Sequence, residues 1–243
     1  MRITQLSSNS YQCTQTIPFP MNAYLVREAD GFSLIDTAMG QAKQILQAAA
    51  RLGHPIRRIF LTHAHSDHVG SLQELAKALP DAEILISRRE ARLLRGDYSL
   101  EPSEPQTKVR GSYRKLSILP SRLLENGDMV GSLQAVAAPG HTPGQMAFLD
   151  GRNQHLYAGD ALVALGGLRV AGDMNWRFPF PAWATWHYET AHASSVGLAS
   201  LRPGLLAVGH GAVIHSPEQA MQEAIARSER RVKAMHQKLG YSS

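Results

Sequence analysis

Three histidines and an aspartate stand within six residues of this chain, where residues 62–70 have the sequence T-H-A-H-S-D-H-V-G. A short apolar run precedes the segment and predicts a buried strand. Imidazole and carboxylate are the ligands that borderline divalent metals prefer. Because side chains alternate along an extended chain, His63 and His65 point the same way, whereas Asp67 and His68 lie where the chain turns into the next helix. The segment therefore predicts a site for two metal ions rather than one.

The same arrangement, an apolar strand that ends in a ligand-type residue, recurs three times further along the chain. His141 lies in the loop P-G-H-T-P-G, which is stiff because proline fixes φ and glycine permits unusual backbone angles. Asp160 follows the run L-Y-A-G, and His210 stands between two glycines at the end of L-L-A-V-G. Layered α/β proteins build their sites at strand ends. The four strand ends together predict one shared metal site.

From about Asn22 to about Gly211 this pattern resembles the metallo-β-lactamase fold superfamily. The resemblance implies an α/β fold, a four-layer αββα sandwich in which two mixed β-sheets are flanked by helices. It also implies two Zn²⁺ ions per chain, with Fe or Mn as alternatives. The implied ligands are His63, His65 and His141 for the first metal, Asp67, His68 and His210 for the second, and Asp160 as a bridge between them. Asp36, at the end of the early run S-L-I-D-T, is implied as a residue that orients the histidine loop without binding metal.

The resemblance further implies a hydrolase in which a hydroxide bridging the two metals cleaves an ester-type bond: a thioester, a lactone or another carboxylic ester. Asp67 has a second implied role, as a catalytic residue that orients the hydroxide or passes a proton to the leaving group. The motifs are most similar to those of the hydroxyacylglutathione hydrolase-like and lactonase-like branch. Two features depart from particular members. About 33 residues follow His210, too few for the helical domain of glyoxalase II enzymes, and residues 161–164 lack the tyrosine of acyl-homoserine lactonases.

Other functions stay open from the sequence. Relatives with a single iron act on persulfides as dioxygenases and use positions of the His63, His141 and Asp160 type. A phosphodiesterase of the same fold and a non-catalytic ligand-binding member are further alternatives, although a complete set of seven ligand positions argues against lost catalysis. β-Lactam hydrolysis is disfavoured because those enzymes commonly lack the bridging aspartate and are exported.

Length and composition favour one globular domain. The chain has 243 residues, of which 44% are apolar, and we expect residues 1–243 to form a single domain. It contains no apolar run of about 18 residues, so we expect no membrane-spanning helix. The first ten residues lack the apolar core of a secretory signal, and Cys13 is the sole cysteine, which together favour the cytoplasm. We expect a monomer or homodimer that acts on a small-molecule substrate, without a membrane partner.

Much of the formal net charge of +5 comes from basic residues between Arg88 and Arg122. Such a stretch either attracts an anionic substrate or nucleic acid, or is a solvated helix and loop without a partner. No aromatic pattern is interleaved with the basic residues, which disfavours nucleic acid, and the second interpretation is favoured. Within the stretch, residues 96–116 are predicted to form a loop insertion.

The segment 161–186 directly follows the predicted bridging aspartate and holds all three tryptophans of the chain. Binding pockets are lined mostly by apolar and aromatic groups, so the segment is a candidate active-site lid. Trp176, Phe178 and Phe180 are its candidates for substrate contact. A loop tucked into the core or a dimer contact is equally compatible with the pattern. Spacing and end signals also predict continuous helices over Val69–Leu79, Trp183–Leu201 and Pro217–Leu239.

Overall fold

The computed structural model describes residues 1–238, which form fifteen strands and seven helices. The strands are β1 (Arg2–Ser7), β2 (Ser10–Gln15), β3 (Met21–Glu28), β4 (Gly31–Ile35), β5 (Ile56–Phe60), β6 (Glu83–Ser87), β7 (Arg122–Leu124), β8 (Met129–Val130), β9 (Leu133–Ala137), β10 (Met146–Asp150), β11 (His155–Tyr157), β12 (Leu162–Val163), β13 (Arg169–Val170), β14 (Leu205–Ala207) and β15 (Ile214–His215). The helices are α1 (Ala42–Arg51), α2 (Ser66–Val69), α3 (Leu72–Ala78), α4 (Arg88–Leu94), α5 (Phe180–Ala184), α6 (Tyr188–Ser200) and α7 (Glu218–Lys238).

The first sheet contains seven strands in the order β1-β2-β3-β4-β5-β6-β7. Neighbouring strands are antiparallel from β1 to β4 and parallel from β4 to β7. The parallel half brings the carboxyl ends of β4 and β5 to the same edge of the sheet. Asp36 follows β4 there, and the histidine-rich segment 62–70 follows β5.

The second sheet contains six strands in the order β15-β14-β11-β10-β9-β8. Its strands pair antiparallel except for β11 and β14, which run parallel. Because of that one parallel pair, Asp160 after β11 and His210 after β14 leave the sheet at the same edge. Strands β12 and β13 form a separate two-stranded ribbon directly after Asp160.

Three hydrophobic clusters fill the spaces between four layers. The first joins α1, α3 and α4 to the first sheet, and the third joins α6 and α7 to the second sheet. The middle cluster lies between the two sheets, where the rings of Phe60 and Phe148 meet with their centroids 5.1 Å apart. The predicted fold, an αββα sandwich of two mixed sheets flanked by helices, is confirmed.

The helix predicted over Val69–Leu79 is wrong at its start, because α2 ends at Val69 and α3 begins at Leu72. Ser71 lies in the break, and its N–H donates to Ala38 O at 3.1 Å. In a continuous helix that N–H would bond to the carbonyl four residues earlier. The contact to the segment after β4 therefore replaces one helical bond.

The helix predicted over Trp183–Leu201 is also divided, since α5 ends at Ala184 and α6 begins at Tyr188. In the gap, the N–H groups of Trp186 and His187 each donate at 2.9 Å to the carbonyls of His141 and Gly140. The competing acceptors lie more than forty residues away in the chain, so helical periodicity could not reveal them.

Three further findings concern the N-terminal strands, the last helix and membrane-spanning segments. The N-terminal strands β1 and β2 were not predicted from the sequence. Cys13 lies buried in β2, and burial raises the pKa of its thiol to about 12. The helix predicted over Pro217–Leu239 is α7, and Leu239 lies outside the described residues. Within residues 1–238, no helix is both long enough and apolar enough to cross a membrane.

Residues 96–116 form neither helix nor strand, apart from one isolated β-bridge between Tyr113 and His65. Ion pairs tie this segment to α4. Arg89 Nε lies 2.6 Å from Glu104 Oε1, with both side chains mostly buried, and Arg92 Nε lies 2.8 Å from Asp97 Oδ2. Part of the basic stretch is therefore neutralised within the chain itself.

Candidate metal centre

The seven side chains predicted as ligands lie together at the edge where strand ends of the two sheets meet. They come from four places: His63, His65, Asp67 and His68 after β5, His141 between β9 and β10, Asp160 after β11, and His210 after β14. All are buried except Asp67, which is partly exposed. The parallel strand pairs of both sheets are the cause of this convergence.

Three of the side chains, His63, His65 and His141, form what we call the nitrogen cluster. Nε2 of His63 lies 3.1 Å from Nδ1 of His65, which lies 3.0 Å from Nε2 of His141. Nitrogens at this spacing are held either by hydrogen bonds between the rings or by a common cation. Which applies depends on the partner of the other nitrogen of each ring, because that partner fixes the tautomer.

The outer nitrogens of two of these rings face groups that must accept a hydrogen bond. His65 Nε2 lies 3.0 Å from Arg110 O, a carbonyl that can only accept. His141 Nδ1 lies 3.1 Å from Thr185 Oγ1, whose own proton is donated to Pro181 O at 2.7 Å. Both rings therefore carry their proton on the outer nitrogen.

His63 follows the same pattern. Its Nδ1 lies 3.0 Å from Thr62 Oγ1, and that hydroxyl donates to Asp36 Oδ2 at 2.8 Å. A neutral imidazole has one N–H, so all three inner nitrogens of the nitrogen cluster present lone pairs to one another. Lone pairs cannot bond to each other, and a shared cation is the partner that this donor set fits.

Asp67, His68 and His210 form a second group, the mixed cluster. Asp67 Oδ2 lies 3.1 Å from His210 Nε2 and 3.8 Å from His68 Nε2. The outer nitrogens again face acceptors, since His68 Nδ1 lies 2.7 Å from Asp36 Oδ2 and His210 Nδ1 lies 2.6 Å from Pro20 O. The inner nitrogens thus point into the cluster, as they do in the nitrogen cluster.

Asp160 lies between the two clusters. Its Oδ1 is 3.4 Å from His68 Nε2, and its Oδ2 is 3.5 Å from His141 Nε2 and 3.2 Å from His210 Nε2. Two buried atoms here, His68 Nε2 and Asp160 Oδ1, have no hydrogen-bond partner, which is rare for buried polar atoms. Gly209 makes room for them, because a Cβ at this position would lie 2.6 Å from His68 Cε1. The position of Asp160 between the two clusters suits a ligand that bridges two metal ions.

The two clusters differ in charge. Burial lowers the pKa of all three rings of the nitrogen cluster, that of His141 to about 3. Burial also disfavours a charge on His210, but Asp160 and Asp67 outweigh it and raise its pKa to about 10. Protonation is therefore disfavoured in the nitrogen cluster and favoured in the mixed cluster, where carboxylates face the rings. Metal binding to such ligands displaces the protons.

Asp36 lies behind the histidine loop, where the sequence analysis placed it. Its Oδ1 accepts from Thr62 N–H at 2.8 Å, and its Oδ2 accepts from Thr62 Oγ1 and from His68 Nδ1. Asp36 itself adopts a left-handed backbone with φ of 57°. One carboxylate therefore links both clusters from behind.

Glu90, a fully buried carboxylate on α4, was not predicted as a site residue. Its Oε2 accepts from Ala64 N–H and its Oε1 from Gly144 N–H, each at 2.8 Å, so it ties the loop of His65 to the loop of His141. Burial raises the pKa of this carboxyl above its ordinary value. No motif surrounds Glu90, and nothing in the sequence distinguished it from a solvated helix residue.

A cavity of about 380 Å³ opens over the candidate ligands. Its base includes His65, Asp67, His141, Asp160 and His210. Phe19, Phe178, Phe180 and Trp183 form one side, which we call the aromatic wall. The remaining lining residues are Met39, Ser66, Gly111, Ser112, Pro181 and Ala184.

Two of the three candidates for substrate contact line the cavity. Phe178 and Phe180 line the cavity, whereas Trp176 does not and is 83% exposed to solvent. Phe19 and Trp183 line it and were missed. Phe19 lies in the turn between β2 and β3, far from the other three in sequence, and Trp183 was assigned to a long helix.

Comparisons with known proteins agree with this geometry. The sequence pattern of the metallo-beta-lactamase superfamily matches residues 16–210. The uncharacterized protein YobT of Bacillus subtilis (strain 168) is 47% identical over 95% of this chain and 100% of its own length. The probable metallo-hydrolase YflN of the same organism is 30% identical over 78% of this chain and 80% of its own.

One further relative matches over a shorter stretch of both chains, and a solved structure matches over most of this chain. The hydroxyacylglutathione hydrolase of Gloeobacter violaceus is 31% identical over 55% of this chain, which spans 45% of that enzyme. Among solved structures, TTHA1623 in a di-iron-bound form is 29% identical, with a TM-score of 0.64 over 86% of this chain and 96% of its own.

Proposed function

This chain belongs to the metallo-β-lactamase superfamily, and on that premise we propose that it is a dinuclear zinc hydrolase. Its substrate in this proposal is a small molecule with an ester-type bond: a thioester, a lactone or another carboxylic ester. The nitrogen cluster would hold the first metal, the mixed cluster the second, and Asp160 would bridge them.

The observation that carries the proposal is the direction of the five histidine rings. Every outer nitrogen faces a hydrogen-bond acceptor, and every inner nitrogen faces the candidate centre. Imidazole and carboxylate suit Zn²⁺ and also Fe²⁺. When bound, two zinc ions would lower the pKa of a coordinated water from about 15.7 toward about 7 and so supply hydroxide at neutral pH.

The roles of the protein's own groups follow from their contacts. Arg110 O, Pro20 O, Thr185 and Asp36 hold the rings in their tautomers, so that little ordering remains when a metal binds. Among the seven candidate ligands, Asp67 is the one that is partly exposed, with 18% of its side chain open to solvent, and it lines the cavity.

Asp67 is therefore the proposed catalytic residue. Burial would raise its pKa, but His68 and His210 outweigh that effect and hold the pKa well below the ordinary range. The carboxylate is thus ionised at neutral pH. It can orient a water molecule against the substrate, accept the proton that this water loses and pass that proton to the leaving group.

The names of relatives support hydrolysis and leave the substrate open. YflN is named a probable metallo-hydrolase, and the enzymes named hydroxyacylglutathione hydrolase match over about half of their length. The cavity of about 380 Å³ has the size of a small-molecule site. An ester-type bond is our extension of these findings to this chain.

The proposal is tested first by metal content, measured by elemental mass spectrometry on protein purified without chelator. We expect near two zinc ions per chain, and turnover of at least one ester, thioester or lactone in a panel. His68→Ala should lose one metal and most of the activity. Full activity of that variant with one metal bound would contradict the dinuclear proposal.

Iron is the alternative that the same measurement detects. The similar structure TTHA1623 holds two irons, so near two irons per chain would keep the dinuclear site and change only the metal. Near one iron per chain, with oxygen uptake on a persulfide, would replace the hydrolase by a dioxygenase.

A further inference from the structure

The aromatic wall is a continuous packed surface over the mixed cluster. Phe178 lies with its ring centroid 5.1 Å from that of His210 and 5.7 Å from that of Phe19. Phe180 stacks on Phe19 at 5.9 Å and meets Trp183 edge-on at 6.0 Å. The rings therefore extend from the candidate metal site to the mouth of the cavity without a gap.

The outer part of the wall is open to solvent. Phe180 and Trp183 are each 55% exposed, whereas Phe178 is 5% exposed. An apolar surface at the mouth of a cavity is stabilised when an apolar ligand covers it. The exposed rings of Phe180 and Trp183 therefore suit contact with an apolar part of a ligand.

Apart from the candidate metal ligands at its base, the cavity offers no positively charged side chain to a substrate within residues 1–238. No lysine or arginine of this described part of the chain lines it. The basic stretch from Arg88 to Arg122 contributes only Gly111 and Ser112 to the lining. No charged side chain of the basic stretch thus lines the cavity, which disfavours the interpretation that the stretch attracts an anionic substrate to it.

We infer that the substrate of this cavity is an uncharged ester whose apolar chain or ring lies along the aromatic wall. This inference rests on the proposed hydrolase function and adds the substrate class to it. A carboxylate on that chain would lose water beside Phe180 and Trp183 without gaining a cationic partner, which is unfavourable. An apolar end would instead remove both rings from water.

The test compares two esters that differ in one group. p-Nitrophenyl hexanoate and mono-p-nitrophenyl adipate have acyl chains of equal length, ending in methyl and in carboxylate. On the zinc-loaded enzyme we expect kcat/KM for the hexanoate to be at least tenfold higher. Equal rates, or a faster adipate, would overturn the inference and leave the hydrolase function standing.

Variants of the aromatic wall test whether its outer rings cause the preference for an apolar acyl chain. Phe180→Ala and Trp183→Ala should each lower kcat/KM for the hexanoate about tenfold while changing that for p-nitrophenyl acetate less than threefold, because acetate is too short to cover the outer rings. Trp176→Ala is the matched control, since it removes a tryptophan of the same segment outside the cavity. A loss in the control as large as in the wall variants would overturn the inference.

A variant that adds a cation to the cavity tests the argument from charge. Ala184 lines the cavity beside Trp183, and Ala184→Lys places an ammonium group there. We expect this variant to shift the ratio of the two esters at least threefold toward the adipate. An unchanged ratio would contradict the argument from charge.

A binding measurement separates this inference from the proposed function. Titration calorimetry compares 2-octanone with 7-oxooctanoate, which the enzyme cannot hydrolyse. Tighter binding of the neutral ketone without turnover of any ester would keep the apolar site and reject the hydrolase. Failure of both ketones to bind, together with turnover of both esters, would reject the apolar site alone.

Discussion

At the scale of single residues, the candidate centre depends on backbone carbonyls as much as on its histidines. Arg110 O accepts from His65 Nε2 at 3.0 Å, and the next residue, Gly111, has a φ of +102°. A Cβ at Gly111 would lie 2.6 Å from both Cδ2 and Cε1 of the His65 ring. Gly111→Ala should therefore displace the ring and weaken metal binding roughly 10- to 100-fold, measured by competition with a chromophoric chelator.

Gly127→Ala provides the control for that change. Gly127 has a similar φ of +91°, but a Cβ there would have no neighbour within 4 Å. Both variants therefore carry the same backbone strain, and only one contacts a candidate ligand. Equal metal affinities would show that the overlap with His65 has no consequence.

The residue scale also shows what the sequence could reveal of the site. His63, His65, Asp67 and His68 were predictable because their types and local spacing are rare together. The groups that orient them were not, apart from Asp36. Every residue except proline has both an N–H and a carbonyl, so nothing in the identity of Arg110 indicates that its carbonyl holds a histidine.

At the scale of secondary-structure elements, α4 connects the two loops that carry the nitrogen cluster. Glu90 accepts one hydrogen bond from each loop at 2.8 Å and is fully buried. In Glu90→Gln, an amide NH₂ replaces one acceptor and faces a backbone N–H. We expect a loss of about 1–3 kcal/mol in the free energy of unfolding, measured by urea denaturation, together with weaker metal binding.

Glu74→Gln on α3 is the matched control. Glu74 is exposed, so this substitution removes the same charge without affecting a buried hydrogen bond. Its unfolding free energy should change by less than about 0.5 kcal/mol. If Glu90→Gln were as harmless as this control, α4 would not hold the two loops.

Elements were predictable where local pattern decides and not where a distant acceptor competes. Strands β3, β4, β6 and β10 and helix α1 follow from apolar spacing and turn residues. The breaks between α2 and α3 and between α5 and α6 do not, because bonds to Ala38, Gly140 and His141 cause them. Both breaks lie beside the candidate site, where local preference yields to the positioning of ligands.

At the scale of the whole molecule, the resemblance implied the layered architecture, and the structure adds its reason. The parallel pairs β4–β5 and β11–β14 belong to different sheets. Each pair sends two loops to one edge, and the sheets meet face to face over the middle cluster. Sequence alone predicts such strands, but it does not give their order in the sheet.

The separation between core and site predicts the effect of metal removal. The three hydrophobic clusters do not include the candidate ligands. In the absence of metal, the rings of His68 and His210 still lie 3.1–3.8 Å from carboxylate oxygens of Asp67 and Asp160. The chelated protein should therefore stay folded, with an unchanged far-ultraviolet circular dichroism spectrum. Each metal at about 100 times its Kd stabilises by about 2.7 kcal/mol, so chelation of two metals should lower Tm by roughly 10–20 °C.

Two variants show whether this shift comes from the candidate centre. His68→Ala removes one ligand and should lose a large part of the shift, while His215→Ala removes an exposed histidine of β15 and should keep all of it. Loss of the helical signal on chelation would mean that the metal, rather than the three clusters, holds the layers together. An equal shift in both variants would mean that the chelated ion binds elsewhere.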